Sequence, residues 1–156
     1  MTSATPSISI LLARLGGTQV GFSALAVREI VRAVTIAPLP GAPAIIEGAI
    51  NVRGRIVPVV DVRQRLALPA LANGPEQFLI LLEAADRLVA IRVEDVEEVT
   101  DVPTGGLESP SAVSPVIARL SGLAAMETGA LVIYDAGSFL TQAEREALDA
   151  AETAAE

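Results

Sequence analysis

Apolar residues in this chain come in short runs, each ended by glycine, proline or a polar turn. That spacing constrains the fold more than any other feature, because runs so short and so bounded match strands rather than core helices. It predicts strands near 8–14, 18–22, 27–34, 49–53 and 55–62, and a second set near 77–83, 87–93, 95–101, 119–124 and 129–135. The stretch APAIIEG (42–48) predicts one helical turn, with Pro43 early and Gly48 as its stop. RQRLAL (63–68) is a candidate for another. Thr141 and Glu144 form a T-x-x-E capping box before a C-terminal helix. The apolar face of that helix (Ala143, Ala147, Leu148, Ala151) is thin, so the helix must dock or fray. VPTGGLESPSAVSP (102–115) is the clearest loop and PALANGP (69–75) the clearest linker.

The chain also repeats itself. Val20-x-Phe22 and Val27-x-Glu29-Ile30 have an ungapped counterpart in Val89-x-Ile91 and Val96-x-Glu98-Val99, and Gly48 to Asp61 aligns without gaps to Gly122 to Asp135. The expected architecture is therefore mainly β, with two similar small barrels in tandem over about 8–68 and 76–140, followed by the helix and tail at 141–156. In the second alignment Arg53 falls opposite Glu127, and Arg55 opposite Gly129.

Composition excludes several chemistries. The 156 residues contain no Cys and no His, and all eleven basic residues are Arg. Disulfides, thiolate and imidazole catalysis, Cys or His metal sites and lysine Schiff bases are thereby removed. No cofactor or metal is expected. Residues 1–75 hold seven Arg and three acids, a net +4; residues 76–156 hold four Arg and sixteen acids, a net −12. With three Phe and one Tyr, the mildly basic half lacks the stacking groups of a nucleic-acid surface. A membrane span needs about 20 apolar residues; the longest uncharged run, 33–46, contains Pro38, Pro40 and Pro43. The N-terminus has no signal-peptide pattern, so a cytoplasmic protein without direct membrane insertion is expected.

The segment GAINVRGRIVPVVDVRQRL (48–66) carries four arginines in an apolar setting. Strand alternation puts Ile50 and Val52 on one face, with Asn51 and Arg53 on the other. Gly54 supplies a turn, and Pro58 marks a strand edge or a bulge. The hairpin then has one dry face and one mixed face. On chemistry alone, Arg53 and Arg55 read most simply as solvated turn charges, with Asp61 a surface partner of Arg63. The other reading makes Glu29 a structural partner of Arg53.

VREI (27–30) followed by PLPGAPAIIEGAINVRGRIVPVVDVRQRLAL (38–68) resembles the CheW-like domain family, whose hairpin pattern is N-x-R-G-x-x-x-P-x-x-D-x-R. VEDVEEV (93–99) and SGLAAMETGALVIYDAGSFL (121–140) resemble its later segments, so the likeness covers about residues 8–140. Val52 stands where Leu is usual, Glu94 where Asp is usual, and Arg92 sits in a strand that is normally apolar. The resemblance implies two SH3-like five-stranded barrels. It also implies a non-catalytic adaptor coupling the cytoplasmic tips of methyl-accepting chemoreceptors to the regulatory domain of a CheA-type histidine kinase, at the inner face of receptor arrays. By position it assigns Val27, Glu29, Ile30, Gly48, Asn51, Arg53, Gly54, Val96 and Val99 to the docking surfaces, while Arg55 is not demanded by the pattern. An adaptor of a non-flagellar system, for pili or biofilm, is the alternative within the class. A small β-barrel hydrolase would need a convergent carboxylate pair, with Asp61, Glu29 and Asp135 the candidates. A free-standing peptide-binding barrel would need an aromatic groove that this composition lacks.

Overall fold

The computed structural model of the protein describes residues 7–15, 17–66, 76–84, 87–103, 107–108, 122–126, 129–134 and 140–155. The expected strands form with shifted ends: β1 (Ser7–Leu15), β2 (Thr18–Ser23), β3 (Val27–Arg32), β4 (Ile46–Val52), β5 (Arg55–Val60), β6 (Phe78–Ala84), β7 (Arg87–Val93), β8 (Asp95–Pro103), β10 (Gly122–Met126) and β11 (Gly129–Tyr134). An unexpected two-residue strand, β9 (Leu107–Glu108), lies in the stretch read as loop. Helix α1 covers Val62–Leu66 and α2 covers Gln142–Ala155. The helical turn expected over 42–48 is shorter. One turn closes through the Ile46 N–H donating to the Pro43 carbonyl at 2.9 Å, and the chain passes directly into β4, with Gly48 inside the strand.

The strands form a six-stranded sheet, β8-β1-β2-β11-β10-β9, and a five-stranded sheet, β3-β6-β7-β5-β4. Each sheet takes strands from both sides of residues 69–75, so the pairing does not follow the tandem division expected above. The repeat survives in a different form. The β4–β5 and β10–β11 hairpins have the same register, Val52 opposite Arg55 and Met126 opposite Gly129. The parallel contact of Val59 with Ala90 is matched by that of Ile133 with Gly21. The antiparallel contact of Ile30 with Ile80 is matched by that of Val99 with Leu11. The five-stranded sheet thus combines the first two strands of the second repeat with the last three of the first, and the six-stranded sheet combines β1 and β2 with β8, β10 and β11 and the added β9.

A short connection explains this exchange. For a repeat to close on itself, β3 would have to lie on the far side of β1, parallel to β2, and returning to a parallel position in the same sheet takes a crossover of roughly a dozen residues. Only the single 3-10 turn Ala24–Ala26 separates β2 from β3, and only Glu94 separates β7 from β8. The chain therefore steps into the other sheet.

Five-stranded barrels were expected; among the described residues no ladder joins the two edge strands of either sheet. The five-stranded sheet still curls until its edges meet, because the chain past β3 exchanges two hydrogen bonds with β4, between Ala37 and Ala49. It is apolar on both faces. Ile50, Val57, Val59, Leu79, Leu81 and Ala90 fill the inside of the curl. Val60, Ile80, Leu82, Val89, Ile91 and Val93 face outward onto Leu11, Leu15, Val20 and Phe22 of the other sheet. Strand β5, flanked by β4 and β7, is buried on both faces from Val57 to Val60, so the mixed face expected of the hairpin is exposed at Asn51, Arg53 and Arg55 but not at Val57 and Val59, and Ile56, expected on the dry face, is exposed. Pro58 consequently lies in a central strand rather than at an edge, with the β7 ladder in register only beyond it, at Val59 and Val60.

Helix α2 is docked. Leu148 and Ala151 are buried, Leu148 and Leu140 join the intersheet core, and Ala143 is left exposed. The capping box forms in both directions: the Thr141 N–H donates to Glu144 Oε1 at 2.8 Å and the Glu144 N–H to Thr141 Oγ1 at 3.1 Å. Arg87 holds the helix to the start of β7 through Asp149 and Glu152. Among the described residues no helix is long and apolar enough to cross a membrane.

Candidate functional site

The hairpin β4–β5 turns in two residues, both with positive φ: Arg53 at 52° and Gly54 at 83°. This is the backbone of a type I′ turn, whose twist matches that of the flanking strands. Arg53, expected as the last strand residue, is therefore a turn residue. The Asn51 side chain closes the turn by accepting the Gly54 N–H at 2.8 Å. Arg53 projects from it and bridges to Glu29 on β3, with Nη1 to Oε1 at 3.1 Å and Nη2 to Oε2 at 2.6 Å. The fork-to-fork geometry suits a guanidinium and a carboxylate. These hydrogen bonds hold the Glu29 carboxyl below its ordinary range and raise the Arg53 guanidinium above its own. Arg53 is 76% exposed, so the bridge is at the surface and contributes little to stability.

A bulge between Val27 and Glu29 sets the pattern on β3. Val27 and Glu29 are half-buried, Val27 packing against the intersheet core, and Ile30 is 40% exposed. The repeat-related positions on β8 behave likewise: Val96 packs on the same core and Val99 is 59% exposed. Gly48 stands apart with a packing role. A Cβ there would strike the Ala37 carbonyl oxygen and come within 2.7 Å of Ile36 Cγ2. Of the nine positions assigned by resemblance, Glu29, Asn51, Arg53 and Gly54 thus converge on the hairpin tip. Val27 and Ile30 flank it on β3, Val96 and Val99 lie on the other sheet, and Gly48 seats β4.

The bridge crosses one open end of the curled sheet, above a concavity of about 480 Å³ walled by Val52, Leu81 and Leu88. Arg28 and Arg55 stand on its rim, and the sequence pattern pointed to neither. At the opposite end of β6 and β7, a buried ion network closes the same interior. Arg92 donates to Glu47 Oε1 at 2.6 Å and to Gln77 Oε1 at 3.0 Å. Glu47 also meets Arg63 at 3.6 Å, and Arg63 Nε donates to Asp61 at 3.0 Å. Both arginine side chains are 5% exposed. Asp61 is thus a half-buried member of this network rather than a surface residue, and the network accounts for Arg92 in an apolar strand. The other carboxylate weighed for catalysis, Asp135, lies outside the described residues, as does Glu127. Among the described residues no three potential metal ligands cluster.

The model of the CheW-like domain matches residues 9–144. The chain belongs to the CheW-like domain family. Relatives include the chemotaxis protein CheW of Rhizobium meliloti, 28% identical over 136 residues covering 86% of this chain and 88% of the relative. The chemotaxis protein CheW of Treponema pallidum is 27% identical over 141 residues, 86% and 83% of the two chains. The crystal structure of the scaffolding protein TtCheW from Thermoanaerobacter tengcongensis matches with a TM-score of 0.73 at 27% identity, over 82% of this chain and 88% of that one. Against this CheW-like background, the turn, its Asn51 lock and the Arg53–Glu29 bridge are where the motif residues of the family meet in space.

Proposed function

We propose that the protein is a non-catalytic adaptor that couples the cytoplasmic tips of chemoreceptors to the regulatory domain of a CheA-type histidine kinase in chemotaxis signalling. The observation that carries this reading is the convergence of Glu29, Asn51, Arg53 and Gly54 on one exposed turn, flanked by Ile30. A residue set separated by more than twenty positions is gathered at the surface, where it adds little stability, and that is the signature of a docking site rather than of a core. The family relationship supports the same reading, since relatives bear chemotaxis and scaffolding names. The carboxylates weighed for catalysis have other occupations: Glu29 holds Arg53, and Asp61 holds Arg63.

The mechanism is positional. An adaptor that binds both partners transmits a receptor change only if its affinity differs between receptor or kinase states, with a coupling of about 1–3 kcal/mol. The test is a titration against the purified kinase regulatory domain, with and without a receptor-tip fragment. Binding to both, with each partner altering the affinity for the other, is the expected result; no binding to either overturns the reading.

A further inference from the structure

The mouth of the five-stranded sheet is basic, and its repeat-related counterpart is not. On the rim, Arg53 is engaged by Glu29 and Arg28 is paired with Glu83 at 3.4 Å. Arg55 is exposed, and its side chain makes no hydrogen bond or ion pair with any described residue. The two carboxylates are thus already occupied, and one cation is left facing a concavity with apolar walls. The repeat inverts this pattern. Arg28 corresponds to Glu97 and Glu83 to Arg14, and that second pair forms at the same distance, 3.4 Å, with its charges exchanged. In sequence, Arg53 corresponds to Glu127 and Arg55 to Gly129. Two repeats of one shape therefore present opposite charge, which gives a pseudo-symmetric molecule a direction.

We propose that Arg55 is a specificity residue that recognises an Asp or Glu side chain of a partner protein, seated beside an aliphatic side chain that enters the concavity walled by Val52, Leu81 and Leu88. Charge complementarity chooses this occupant. A cationic segment would meet three guanidiniums, whereas a carboxylate finds the one without an acid, and the repeat-related surface repels it. A rim charge of this kind acts on orientation and on-rate more than on total affinity. The proposal rests on the adaptor reading above.

The experiment titrates the full chain against the kinase regulatory domain and, separately, a receptor-tip fragment, at low and high salt, comparing wild type with Arg55→Glu and Arg55→Lys. Because the Arg55 side chain has no hydrogen-bond or ion-pair partner among the described residues, both variants should keep the wild-type melting temperature. Arg55→Glu is expected to weaken one of the two complexes roughly 3- to 10-fold at low salt. The deficit should shrink at high salt, where screening removes the term, and Arg55→Lys should retain most of the affinity. If wild type binds and Arg55→Glu binds both probes equally well at low salt, the specificity role is wrong while the adaptor reading stands. If wild type binds neither probe, both are wrong.

Discussion

Three residues at or near the hairpin separate backbone needs from docking needs. Gly54 has φ 83° with open space where a Cβ would sit, so only its conformation excludes other residues. Asn tolerates that region far better than Ala. Gly54→Ala should therefore lower stability by about 1–2 kcal/mol in urea unfolding, and Gly54→Asn by clearly less. Gly48 differs, because any Cβ meets the backbone of Ala37 where β4 seals the curl. Gly48→Ala should lose about 1–3 kcal/mol by overpacking, and Gly48→Asn should not relieve the loss. Glu29 gives a pH signature. Its carboxyl is depressed by the Arg53 hydrogen bonds, so the folded state binds fewer protons than the unfolded chain just below the ordinary carboxylate range. The contribution is complete above that range and disappears as pH falls through the depressed value. An NMR titration should place Glu29 below ordinary glutamates in wild type and return it to their range in Arg53→Ala; an unchanged midpoint would separate the two residues in solution.

At the scale of elements, the charged ends of the five-stranded sheet have different energetics. The Arg53–Glu29 bridge is exposed and contributes little to stability. The Arg92–Glu47–Arg63–Asp61 network is buried, and removing one member leaves the remaining three with one unbalanced charge. Arg92→Leu should destabilise by roughly 3 kcal/mol, even though it restores an apolar residue to β7, and adding Glu47→Gln should recover part of that loss. Recovery would identify the excess negative charge at Glu47 as the cause; its absence would point to packing. Contrast between these ends also explains what could be read from sequence. The hairpin and the capping box at Thr141 and Glu144 were legible because turns and caps follow local rules, whereas the Glu29–Arg53 partnership, 24 residues apart, was one of two readings and gained weight only from the family pattern. Arg92 stood out as an intruder, but its partner Glu47 lies 45 residues away and no local pattern names it. Pro58 misled for the same reason: whether a strand is central depends on β7, not on its own residues.

At the scale of the molecule, the exchange between repeats decides what can fold alone. The sequence exposes two repeats, and self-contained units were the natural inference. The three-residue link from β2 to β3 forbids it, since it is too short to carry the chain across β1 to a position parallel to β2. The first repeat therefore leaves β2 waiting for β11 and β3 waiting for β6, while the second leaves β7 waiting for β5 and β8 waiting for β1. The intersheet core is likewise shared, with Leu11, Val20 and Phe22 from one half against Ile80, Val89 and Ile91 from the other. A chain cut within residues 69–75 should give two pieces that lack cooperative thermal unfolding when separate. Mixed, they should regain strand circular dichroism and a single transition, because every missing ladder is supplied by the partner. The same mixture should recover binding to the kinase regulatory domain if the Arg53 hairpin is the docking element, since β4 and β5 depend on β7 for their seat. A first piece that unfolds cooperatively by itself would mean that β5 can close on β2 within one repeat, and that the short link does not dictate the exchange.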